Sequence, residues 1–112
     1  MNSEGEREPY EVLVSPRACE FVAEFMQNMA KTDKTGAESL LSRLCSDLRS
    51  LEKLPNHKPF YERPYLPYGK YHYILSSGGR FVAIFQIDGA KVLVDEIADS
   101  KKYIDTIESS LF

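Results

Sequence analysis

The chain has 112 residues, 43% of them hydrophobic, enough for one compact domain with a modest core. A formal net charge of −3 argues against a generic nucleic-acid binder that works through a basic surplus, while leaving room for a local basic patch. No apolar run approaches the roughly 18 residues a membrane helix needs, so no membrane partner is expected. The polar start MNSEGEREP is the opposite of a secretory signal, and the expected location is cytoplasmic.

Residues 1–9 read as a flexible arm, leaving 10–112 as the single domain. Tyr10 to Val14 alternates apolar and charged at its start and predicts a strand. Ser15-Pro16 then marks a helix start, because serine caps free amides and proline suits the first helical position. Ala18, Phe21, Val22, Phe25, Met26 and Met29 keep helical spacing to about Ala30. After the polar break KTDKTG, Thr35 and Glu38 match a capping box. Leu40, Leu41, Leu44, Cys45, Leu48, Leu51 and Leu54 extend one stripe to about Leu54, where Pro55 stops it. Two amphipathic helices with a short connector predict an antiparallel hairpin lying on a sheet. Cys19 and Cys45 fall on the apolar stripes and read as reduced core thiols, with neither number nor spacing suggesting metal.

Asn56 to Gly69 is rich in proline and tyrosine and reads as an irregular crossover. Lys70 to Asp99 carries three apolar runs and two turns. Asp88-Gly89 predicts a type I′ hairpin turn with positive φ at both central residues, and Ser76-Ser77-Gly78-Gly79 predicts a looser one. Phe81 to Ile87 is apolar on both faces, as a strand covered on both sides requires. In the last run, alternation puts Val92, Val94 and Glu96 on one side and Leu93, Asp95 and Ile97 on the other. Asp95, Glu96 and Asp99 look like metal ligands on paper, but that alternation separates the first two, so no metal is expected. Residues 101–112 predict a short terminal helix, with Tyr103, Ile104, Ile107 and Leu111 on one side. The expected class is α+β: an N-terminal strand, an antiparallel helical hairpin on a twisted antiparallel sheet of about four strands, and a short C-terminal helix.

The ordered set YEVLVSPRACEFV, LRSLEKLP, KYHYIL, RFVAIFQIDGAKVLVDEI and ADSKKYI resembles the RelE/ParE superfamily of bacterial toxins over about residues 10–104. The resemblance implies the toxin part of a type II toxin–antitoxin module, with a small antitoxin protein as partner and no cofactor. In the ribosome-dependent branch it implies mRNA cleavage, in which a 2′-hydroxyl attacks the adjacent phosphate and leaves a cyclic phosphate and a free 5′-hydroxyl. In the ParE-like branch it implies inhibition of DNA gyrase by protein contact, with no nuclease site. A third reading is a diverged member that assembles only with an antitoxin or with itself, as a homodimer.

Cleavage needs a proton acceptor, a proton donor and positive charge at the phosphate. His72 is the acid/base candidate, with Arg80 and Lys70 completing the catalytic set. Lys53, Lys58, Arg63, Lys101, Lys102 and Tyr103 are the candidate contacts to ribosomal mRNA. Each has a plainer reading: His72 as a half-exposed strand residue bonded to a neighbour, Arg80 as a turn flank, Lys101-Lys102 as a solvated helix start. His57 reads as solvated. Tyr65, Tyr68, Tyr71 and Tyr73 can stack on bases or close the end of the sheet. The chain has Tyr71-His72 where the family commonly has Tyr-Arg, and lysines in its C-terminal segment where the family has arginine. Lysine is a point charge and does not equal a planar guanidinium clamp. The nuclease reading therefore requires His72 and Arg80 to share one hollow, bordered by the C-terminal lysines.

Overall fold

A computed structural model describes residues 8–100. The expected arm lies almost wholly, and the expected terminal helix wholly, outside the described residues. Within them the order is β1 (Glu11–Val14), α1 (Pro16–Ala30), α2 (Lys34–Arg49), two 3-10 turns (Ser50–Glu52 and Pro55–His57), β2 (Tyr71–Ser76), β3 (Phe81–Asp88) and β4 (Lys91–Asp99). This is the α+β architecture that the sequence predicts.

The sheet order is β1-β4-β3-β2. β2, β3 and β4 form the antiparallel meander, but β1 pairs parallel to β4, with Val12 opposite Val92. The sheet is therefore mixed rather than antiparallel. Alternation along a strand reveals which residues share a face and says nothing of direction. Direction is set by the crossover, which runs back beside β2 through an antiparallel bridge between Phe60 and His72.

Local signals explain the helix starts. Ser15 Oγ accepts from the Ala18 amide at 3.1 Å and donates to the Asp95 carbonyl at 2.8 Å, so one hydroxyl caps α1 and ties it to β4. α2 is capped by Asp33, whose carboxylate accepts from the Gly36 amide at 2.9 Å. The expected Thr35–Glu38 box is thus displaced by a cap two residues earlier. The second helix also ends earlier than its stripe suggests. It tightens into a 3-10 turn after Arg49, and Leu54 adopts a left-handed φ of 50° that breaks the winding before Pro55. The stripe runs on regardless, because Leu51 is still fully buried.

The β3–β4 turn has positive φ at Gly89 alone, with Asp88 and Lys91 forming the last pair. Glycine at the first central position marks a type II′ turn, one residue later than the expected I′ turn. On the β2–β3 side, Ser77, Gly78 and Gly79 all take positive φ, as the looser turn requires.

Phe81, Ala83 and Phe85 of β3, with Val92, Val94 and Ile97 of β4, form the main core against Ala18, Met26, Ala37 and Leu44 of the helices. Val82 and Ile84 face the other way and pack with Tyr61 of the crossover. β3 is therefore covered on both faces, as its continuous apolar run predicts. Ile97 joins Val92 and Val94 because of a bulge. Ile84 pairs with Glu96 and Phe85 with Val94, leaving Asp95 as the extra residue. The simple alternation fails beyond Val94, and Asp95 and Glu96 come to the same cleft. Both cysteines are exposed rather than buried.

Candidate functional site

The side of the sheet away from the helices holds the candidate site. The crossover lies over it with Tyr61 buried at its centre, against Val82, Ile84 and Tyr73. Phe60 and Tyr61 point to opposite sides, as residues of an extended edge segment do. Phe60 stacks on His72 on the helix side, while Tyr61 covers the open side. Tyr61 thereby lines two clefts of about 420 Å³ each. The first is bounded by Arg17, Tyr65, Leu66, Tyr71, Gln86, Asp95 and Glu96. The second is bounded by Phe60, Arg63, Tyr73, Leu75, Val82 and Ser100.

The first cleft is aromatic and acidic. Gln86 Nε2 donates to the Asp95 carboxylate at 2.7 Å, and the bulge adds the Glu96 side chain beside it. Two carboxylates on this floor repel a phosphate backbone, and Arg17 is the one cation among the lining residues. Sequence reasoning did not anticipate Arg17, Gln86, Asp95 and Glu96 as one group. Gln86 and Asp95 are polar residues within strands, which is a signal, but the bulge that unites them has no glycine to announce it. Among the described residues no group of three or more His, Cys, Asp or Glu is placed to hold a metal ion.

His72 lies on the helix side, only 6% exposed. Its ring is stacked between Phe60 at 4.4 Å and Phe85 at 5.4 Å, and its Nδ1 lies 2.9 Å from the Lys58 carbonyl. A proton on Nδ1 makes that contact an N–H donated to the carbonyl. The ring thus closes a cross-strand aromatic row and pins the crossover to β2.

Arg80 is half-exposed at the head of β3. Its Nε lies 3.4 Å from the Asp99 carboxylate, and its guanidinium lies 5.0 Å over the Phe25 ring of α1. His72 pairs with Phe85, whereas Arg80 precedes Phe81, which pairs with Ser76. The two residues are thus separated by more than four strand levels, about 13 Å or more at the usual rise. Neither lines the two clefts. The structure does not bring them into a shared hollow.

The remaining candidates are dispersed. Lys70 is exposed just before β2, with its Nζ 5.4 Å over the Tyr71 ring. Lys53 is exposed after the first 3-10 turn. Lys58 is half-buried and serves His72 through its carbonyl. Arg63 lines the second cleft, with its guanidinium 4.3 Å over the Tyr61 ring and Nη1 donating to the Glu62 carbonyl at 2.7 Å. Lys101, Lys102 and Tyr103 lie outside the described residues.

A separate groove runs between α1 and α2. It has a volume of about 350 Å³ and is lined by Cys19, Val22, Met26, Leu41, Leu44, Cys45 and Leu48. Both exposed thiols belong to this apolar groove, so periodicity placed them on the correct stripe but at its open margin.

No protein-family model and no curated protein matches the sequence. Among solved structures, a chain of the "Chromosomal ParDE TA system from P. aeruginosa" superimposes with a TM-score of 0.66. The match covers 80% of this chain and 95% of that one at 13% identity. At that identity the likeness is one of fold, and it agrees with the architecture that the ordered sequence motifs imply.

Proposed function

We propose that this chain is the toxin of a ParDE-type toxin–antitoxin pair and that it acts by protein contact rather than by cutting RNA. The likeness of fold supports the first part. The second part rests on one observation: His72, the residue best suited to proton transfer, is spent on packing between two phenylalanines and on the Lys58 carbonyl. An acid/base group must reach the proton it moves, and this imidazole is enclosed within the row that fastens the crossover. The acidic floor of the first cleft argues in the same direction. By resemblance, the target of such a toxin is DNA gyrase.

The antitoxin partner fits the apolar groove between α1 and α2. Its lining of Val22, Met26, Leu41, Leu44 and Leu48 suits the apolar stripe of a partner helix. The reading as a ribosome-dependent mRNA endoribonuclease keeps one favourable observation, the half-exposed guanidinium of Arg80.

Induction in a bacterial host, with mRNA integrity, translation and DNA supercoiling followed separately, tests the proposal. Growth arrest with intact mRNA and altered supercoiling is expected, and co-expression of the antitoxin encoded beside it should relieve the arrest. Rapid mRNA cleavage would instead establish the endoribonuclease. No growth effect would leave a chain that only assembles with an antitoxin or with itself.

A further inference from the structure

The first cleft gathers negative charge that its own lining does not neutralise. The bulge in β4 brings Asp95 and Glu96 to it together, and Gln86 Nε2 occupies one oxygen of Asp95. Among the described residues, the other Asp95 oxygen and the Glu96 carboxylate have neither a hydrogen bond nor an ion pair. Arg17 is exposed and forms no salt bridge with either carboxylate, although it lines the same cleft. Two like charges in one cleft raise each other's energy, and an incoming cation relieves both.

The walls narrow the chemistry of that cation. Tyr61, Tyr65 and Tyr71 border the cleft, and Tyr65 is 72% exposed. Tyrosine rings attract cations to their faces, and two of these already do so. The Arg63 guanidinium lies 4.3 Å over Tyr61, and Lys70 Nζ lies 5.4 Å over Tyr71. Neither of those cations lines the cleft. Leu66 and Ile84 add an apolar surface that suits an aliphatic stem. An ammonium group acts as a point charge, whereas a planar guanidinium bonds a carboxylate and stacks on a ring at once. Tyr61 also lines the second cleft, where Phe60 and Leu75 are exposed and offer contact to apolar residues flanking such a cation.

We propose that the first cleft receives an arginine side chain presented by a partner protein. Its guanidinium bonds Asp95 and Glu96 and stacks on Tyr65, while its methylenes cover Leu66 and Ile84. Arg17 opposes the incoming charge and so limits the affinity. The site lies on the sheet face away from the groove between α1 and α2. The inference does not depend on the toxin reading.

Titration of the isotope-labelled full chain with the blocked peptide acetyl-Leu-Arg-Leu-amide, followed by amide chemical shifts, tests the proposal. Saturable shifts are expected at Tyr65, Gln86, Asp95 and Glu96. Citrulline in place of the peptide's arginine, a neutral isostere, should weaken binding by about tenfold. Glu96→Gln in the protein should weaken it by about fivefold, and Tyr65→Ala, at an exposed position, by about threefold. Arg17→Ala should tighten it by about twofold. Equal affinity for the citrulline peptide, or no saturable shift at these residues, would overturn the proposal without recourse to any variant. Spermidine binding there as tightly as the peptide would overturn the partner protein as source, in favour of a free polyamine. Shifts confined to the residues of the α1–α2 groove would overturn the site itself.

Discussion

The two faces of β3 are built from alternate residues of one strand and closed in different ways. Phe81, Ala83 and Phe85 meet two regular helices, whereas Val82 and Ile84 meet an irregular segment centred on Tyr61. All five are buried. The helix side is a continuous core that includes Phe21, Phe25 and Phe81 in edge-to-face contact. The crossover side leaves two clefts beside a single aromatic plug. Repeating side chains of the helices cover the sheet without a break and leave a groove between α1 and α2, whereas the irregular segment leaves clefts on the sheet face itself. His72 belongs to the filled side.

Substitutions can break or sharpen that contrast. The largest effect is expected at Phe85→Ala, which empties a fully buried site between His72 and the helices. It should cost about 3–5 kcal/mol in chemical denaturation. Tyr61→Ala should cost less than Phe85→Ala, because the crossover can settle into the space. Its distinguishing sign is faster amide exchange at Tyr61 and Tyr73, whose amides bond across the crossover–β2 edge. An equal loss at both sites would erase the proposed difference between the faces. His72→Ala should cost about 1–3 kcal/mol, since it removes two ring contacts and strands the Lys58 carbonyl. Ser15→Ala should cost about 1 kcal/mol through the lost cap of α1. Arg80→Ala should cost at most about 1 kcal/mol, because its ion pair with Asp99 is half-open to solvent.

What could be read in advance follows the same division. The Ser15-Pro16 start, the end of α1 at Ala30 and the two-sided burial of Phe81–Phe85 are local consequences of capping and periodicity. The early end of α2 is less visible, because Leu51 continues the apolar stripe after the winding has tightened. The bulge at Asp95 is hidden for a similar reason. Val-Asp-Glu-Ile fits alternation in two registers, and only the pairing with Ile84 and Phe85 selects one. The parallel pairing of β1 depends on the course of the crossover, which has no periodic signal.

The candidate site was harder still. Arg63, read in the sequence as an RNA contact, and Tyr65, Tyr71 and Tyr73, read as stacking on bases or closing the end of the sheet, line the two clefts. The surroundings of His72 were legible only in part: a bond to a neighbour was one of the two readings, while its burial and ring stack were not foreseen. Its stacking partner Phe60 comes from the irregular crossover, and its other partner, Phe85, is set by a cross-strand register. An imidazole in a strand offers the same pattern whether it transfers protons or fills a row of rings.

The central claim, that His72 packs rather than reacts, is tested most directly by comparing the purified protein with its His72→Phe variant in a translating bacterial extract. Phenylalanine keeps the ring stack and removes any proton transfer. The account predicts full-length message with both proteins. New 5′-hydroxyl ends in the message with the unsubstituted chain, lost with His72→Phe, would contradict it.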